Sequence, residues 1–192
     1  MTLVTLAVAA CGADRTGGPR GRPVDVVRAA PDRTFAAGSA RVEATSPDAQ
    51  SRGRVAFDDP ASTPLAVKGR GGAAAYPEMA EPLVLVDLMR GAVGVVSYGG
   101  VAVRGVSTFH YELNVNLARA LPATPASRRD RVTALARQMG GDGFYADVWV
   151  DDAGRLRRVQ VPVDKASRRQ SDRNKILARL ISVDFFDYRP GG

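Results

Sequence analysis

Ser107-Thr108-Phe109-His110-Tyr111-Glu112-Leu113-Asn114-Val115-Asn116-Leu117-Ala118 is the stretch on which the fold turns. Its odd positions, Phe109, Tyr111, Leu113, Val115 and Leu117, are apolar. Its even positions, Thr108, His110, Glu112, Asn114 and Asn116, are polar. Successive side chains on a strand point to opposite faces, so this reads as one long strand with a dry face and a wet one. A dry face of that length must be extended by neighbouring strands and covered by something apolar.

The residues around it supply both. Upstream, strands over residues 92–98 and 101–106 flank Gly99-Gly100, a hairpin signal. Downstream, Thr124-Pro125 opens a helix to about Met139, with Val132, Leu135, Ala136 and Met139 on one stripe and Gly140-Gly141 ending it. Residues 144–151 and 155–163 form a second hairpin, in which Asp151-Asp152 supplies turn chemistry rather than a catalytic carboxylate pair. A last strand lies between Ile176 and Tyr188. In the first half, a short helix over 24–30 is stopped by Pro31, and strands follow over 35–46, 52–58 and 64–68. A Gly/Ala-rich linker, 69–77, then precedes a helix over 83–90, which is apolar nearly all round and therefore buried. The sum is an α+β fold: eight or nine antiparallel strands and about three helices, for which a strongly curved sheet or open barrel is the economical architecture.

Composition narrows the chemistry. The 192 residues carry 45% hydrophobic and 24% charged side chains, enough for one domain with a real core. One cysteine excludes a disulfide framework and a cysteine-rich zinc site, and one histidine leaves little for triads or histidine-bound metal. Neither a metal nor another cofactor is expected, and no catalytic residue is assigned. Gly69-Arg70-Gly71-Gly72-Ala73-Ala74 fits a dinucleotide loop only loosely, and Pro77 denies it the helix that should follow. His110 and Glu112 share the polar face, where a hydrogen-bonded strand histidine is the simpler reading. The net charge of +7 favours acidic surfaces. Arg168, Arg169, Arg173 and Lys175 stand in a basic loop suited to anionic headgroups. That loop has no interleaved aromatic for stacking bases, so nucleic acid is not an expected partner.

The N-terminus adds a location. Leu3 to Ala10 is a short apolar run ending in small residues, the pattern of a secretory signal and its cleavage site, although no Lys or Arg precedes it. Val8-Ala9-Ala10-Cys11 resembles the bacterial lipobox, which implies acylation of Cys11 and anchoring on the outer side of a membrane. The chain thus divides into a truncated signal-like segment (1–10), the lipobox cysteine with a Gly/Pro/Arg tether (11–23) and a single domain (24–192).

The domain resembles the actinobacterial lipoproteins of the LppX/LprG type, relatives of the LolA/LolB carriers. The resemblance rests on the lipobox-like residues, the opening helix running into Phe35-Ala36-Ala37-Gly38-Ser39-Ala40-Arg41-Val42, the segment 103–113, and the hairpin around Asp147-Val148-Trp149-Val150 and Arg155-Leu156-Arg157-Arg158-Val159. It implies a half-barrel whose apolar cavity holds acyl chains without chemistry, so a lipid or glycolipid becomes the expected ligand. On that basis Phe109, Tyr111, Leu113, Val115 and Leu117 are assigned to the cavity wall. Leu83, Leu85, Leu88 and Met89 are assigned to a lid. A monomer is expected, with an envelope transport protein as a candidate partner. The alternative is the same fold used as an envelope sensor or interaction module, its cavity filled by side chains.

Overall fold

In the computed structural model, which describes residues 19–58, 64–139, 142–163 and 180–191, helix α1 (Pro23–Phe35) leads into strands β1 (Ser39–Thr45), β2 (Ala49–Ala56) and β3 (Val67–Gly69). Helices α2 (Gly72–Ala75), α3 (Pro77–Ala80) and α4 (Pro82–Leu88) follow, and the last runs into a 3-10 turn, Met89–Gly91. Strands β4 (Ala92–Val103) and β5 (Val106–Asn116), helices α5 (Leu117–Ala123) and α6 (Ala126–Met139), and strands β6 (Gly143–Asp151), β7 (Leu156–Pro162) and β8 (Leu180–Arg189) complete it. Cys11, Arg168, Arg169, Arg173 and Lys175 lie outside the described residues.

The eight strands form one antiparallel sheet in the order β3-β2-β1-β8-β7-β6-β5-β4. Its edges, β3 and β4, do not pair with each other, so the half-barrel is open. Register explains why one face is dry. Tyr111, Val148, Val159, Val183, Ala44 and Ser51 stand opposite one another in turn from β5 across to β2, and all six are buried. Helices gather on this face. Helix α1 packs on β4, β6 and β7, and α3 packs on β2 and β8. The 3-10 turn and α5 meet β5.

The sheet matches the expectation; the helices and one turn do not. Six helices are present among the described residues rather than about three. Helix α1 continues through Pro31 to Phe35, because the ring is buried with Val26, Val27, Ala30 and Thr34 on one helical stripe. Burial on the sheet outweighs the roughly 3 kcal/mol that an interior proline costs a helix. The linker over 69–77 contains α2, which buries nothing, and the first residue of α3, the helix that buries Glu78, Met79 and Ala80 in the cover.

Gly99-Gly100 does not turn the chain. Strand β4 runs through it with a one-residue register shift between Ser97 and Gly99. The hairpin closes instead at Arg104 (φ 49) and Gly105 (φ 76). Two consecutive left-handed residues match the right-handed twist of the paired strands, and the glycine takes one of them without strain. Arg104 is held there by ion pairs to Asp184 at 2.9 Å and to Glu43, with its guanidinium 4.2 Å above Phe186.

Candidate functional site

Three of the five wall residues are where the alternation puts them. Tyr111, Leu113 and Val115 point into the core from β5 and are buried. Burial pushes the Tyr111 hydroxyl above its ordinary pKa. Phe109 lies further along the same face, only partly buried against the core. Leu117 has left the strand: it is the first residue of α5, whose cap, Asn116, accepts a hydrogen bond from the Arg119 amide at 3.0 Å. The alternation continues by coincidence one residue past the strand. Leu117 is nonetheless buried in the same apolar cluster as Tyr111, Leu113 and Val115, and it also borders a surface groove of about 490 Å³ between α5 and α6 with Leu121 and Ala136.

The lid residues are all covered. Leu83 is 7% exposed, and Leu85, Leu88 and Met89 are fully buried. They belong to one continuous apolar cluster with Tyr111, Leu113 and Val115, so cover and wall pack into a single core. The cover's far end is fixed. A Cβ on Gly91 would run into the Asn116 carbonyl oxygen and Ala120, so the 3-10 turn sits hard against the end of β5 and the start of α5.

A polar cluster that the sequence reading passed over ties the cover down. Asp87, within the apolar helix α4, is fully buried. Its Oδ1 accepts from Arg90 Nε at 3.0 Å and from Arg128 Nη2 at 3.1 Å; its Oδ2 accepts from Arg128 Nε at 2.6 Å. Arg90 also pairs with Asp32 of α1 at 2.8 Å, and the Arg128 guanidinium lies 4.1 Å from the Phe35 ring centre. A second pair, Arg131 with Glu81, joins α6 to the residue before α4. Burial works against the Arg90 charge, and the hydrogen bonds to Asp32 and Asp87 more than offset it, leaving its pKa above the ordinary value. The available signal was an Asp in an otherwise apolar helix with an Arg three residues on; Arg128 is distant in sequence and carried none.

The opposite face of the sheet is polar and specific. His110 is stacked between Tyr98 (ring centres 5.2 Å apart) and Trp149 (4.4 Å), and its Nε2 lies 2.6 Å from Asp147 Oδ1 rather than meeting Glu112. Tyr98 donates to Glu112 at 2.9 Å. Arg158 forms a two-pronged pair with Asp184, at 2.6 and 2.8 Å. Burial raises the Asp184 carboxyl, but hydrogen bonds from Arg158 and Arg104 outweigh it and leave the pKa below its usual range. Asp151 is likewise held low: the Arg155 amide and the Arg157 and Arg155 side chains outweigh its burial. Its Oδ1 accepts from the Ala153 and Arg155 amides, the turn role read from the sequence. Among the described residues no cluster of three His, Cys, Asp or Glu side chains is arranged to hold a metal, and no helix is long and apolar enough to cross a membrane.

An open antiparallel half-barrel, its concave face covered by helices, is the class that this geometry defines. The fold is similar to that of LprF from Mycobacterium bovis, with a TM-score of 0.53 over 90% of this chain and 95% of that one, at 12% identity. The lipoprotein LppX from Mycobacterium tuberculosis aligns over 86% of this chain and 94% of its own, with 12% identity and a TM-score of 0.45. At this identity the likeness to LprF is one of fold. No family model matches the chain, and no curated protein does.

Proposed function

We propose that the protein is an exported lipoprotein, anchored through acylated Cys11, that binds a lipid or glycolipid and carries it without chemistry. Its acyl chains would lie between the β5 wall and the α3–α4 cover. One observation carries this reading: the sheet's dry face is closed by short helices of separate origin rather than by a second sheet. The cover is made of short pieces, four residues in α3 and seven in α4. The fold shared with LprF agrees with it. A sixteen-carbon chain gains on the order of 12 kcal/mol on burial, comparable to its gain in a bilayer, so exchange with membranes runs near equilibrium. On this reading the protein acts as a monomer, hands its lipid to an envelope transport protein, and uses Arg168, Arg169, Arg173 and Lys175 to meet membrane headgroups.

A second reading has its own observation. Leu85, Leu88, Met89, Leu113 and Val115 are each at most 1% exposed within one cluster, as expected of an interaction module with a filled interior. Extraction of the purified full chain with organic solvent, followed by mass spectrometry, separates the two. Stoichiometric lipid in the extract, or uptake from added vesicles, is the expected result. A clean extract with no uptake selects the module.

A further inference from the structure

Asp87 is an odd residue for a cover. Every other side chain of α4 is apolar, and all seven residues are buried. Replacing a buried ion pair with apolar packing often stabilises a protein, so stability alone does not account for a carboxylate here. Each of the two arginines around it also has a contact that does not involve it. Arg128 belongs to α6 and rests on Phe35 of α1. Arg90 pairs with Asp32 of α1, and the next residue, Gly91, is pressed against Asn116 and Ala120. If α4 lifts to admit an acyl chain, Asp87 leaves with it. Arg128 then loses its carboxylate partner, while Arg90 keeps Asp32 and stands beside the vacated position; with α4 in place their side chains are 20% and 8% exposed. An uncompensated buried charge is strongly destabilising, and the guanidinium fork matches carboxylate and phosphate oxygens. A ligand that brings an oxyanion restores the pairing; a neutral one does not.

We propose that Arg128 and Arg90 form the headgroup-recognition pair of the carrier, that Asp87 is their internal substitute while the cover is down, and that the cargo is a lipid with an anionic headgroup. This rests on the lipid-carrier reading above. The site lies where α1, α4 and α6 meet, beside the apolar cluster, so a headgroup is held at the rim while its chains enter the core.

The test uses the full chain with Cys11→Ala, incubated with vesicles of equal parts phosphatidylglycerol and phosphatidylcholine; the protein is then separated and its bound lipid measured by mass spectrometry. Both lipids share one vesicle, and because a +7 chain is attracted in general to the anionic lipid, the charge-matched Arg137→Gln control separates that background from the site. The expected result is enrichment of phosphatidylglycerol by about tenfold or more, in line with the strength of charge-assisted hydrogen bonds. Arg128→Gln removes the enrichment. So does Asp87→Asn with Arg128→Gln, a pair that leaves no unpaired carboxylate and retains the fold. Arg137→Gln, the same charge change on an exposed part of α6, keeps the enrichment. A wild-type ratio equal to that of the vesicle, or enrichment that survives in the double variant, overturns the proposal while the carrier reading stands. No uptake of either lipid overturns both. Inorganic phosphate alone is expected to leave the thermal midpoint unchanged. A rise that the double variant loses would assign the pair to a free oxyanion and overturn the headgroup assignment.

Discussion

Two rows of side chains cross the same six strands, one residue apart on each. The inner row is Tyr111, Val148, Val159, Val183, Ala44 and Ser51; the outer is His110, Trp149, Arg158, Asp184, Glu43 and Arg52. The inner row is held mainly by exclusion of water, which has no direction and accepts many side chains of suitable volume. The outer row is held largely by directed contacts: a ring stack, a two-pronged ion pair, and Arg104 clamped between Glu43 and Asp184. A wall built on the first principle tolerates different cargo chains. On the carrier reading, discrimination would come from directed contacts such as those around Asp87.

The largest effect is expected on the inner row's face. Leu113→Ala should cost about 2–5 kcal/mol in chemical denaturation, the range for truncating a packed leucine. A loss below about 1 kcal/mol would mean that the wall faces open space, and the contrast between the rows would fail.

The outer row should respond to acid. The Asp184 and Asp151 carboxyls have folded pKa values below their unfolded values. Their contribution is therefore complete above the unfolded carboxylate value of about 3.9 and is lost as pH falls through the lower folded values. Asp184→Asn should flatten the decline of unfolding free energy below about pH 4, with little change in its slope near neutrality. A mutant curve parallel to the wild type below that pH would remove Asp184 from the account.

The smallest effect is expected at His110. It is part-buried in the stack, and His110→Ala should cost roughly 0.5–1.5 kcal/mol, the scale of one aromatic pair. A loss as large as that of Leu113→Ala would erase the distinction between the rows.

The inner face was legible in the sequence because period-two alternation is a local signal, and residues 107–116 carry it almost without exception. It failed at Leu117, where a helix begins on an apolar residue that happens to keep the alternation. Gly99-Gly100 misled because glycine pairs mark bulges as well as turns, and only the pairing with β5 decides between them. The Asp87 cluster was illegible for a different reason. Its parts lie on α1, α4, the 3-10 turn and α6, and no local spacing records that these meet. Cys11 and the basic loop at 165–175 remain readings of the sequence alone.

The position of β8 also bears on synthesis. Strands β1 to β3 reach the rest of the sheet only through β8, and within it Thr45 pairs with Ser182. A growing chain can therefore assemble three strands at one end and the β4–β7 meander at the other, but it cannot join them until residues 180–189 have been made. That late, long-range closure slows folding, and it leaves two half-sheets with unpaired edges until β8 has been made.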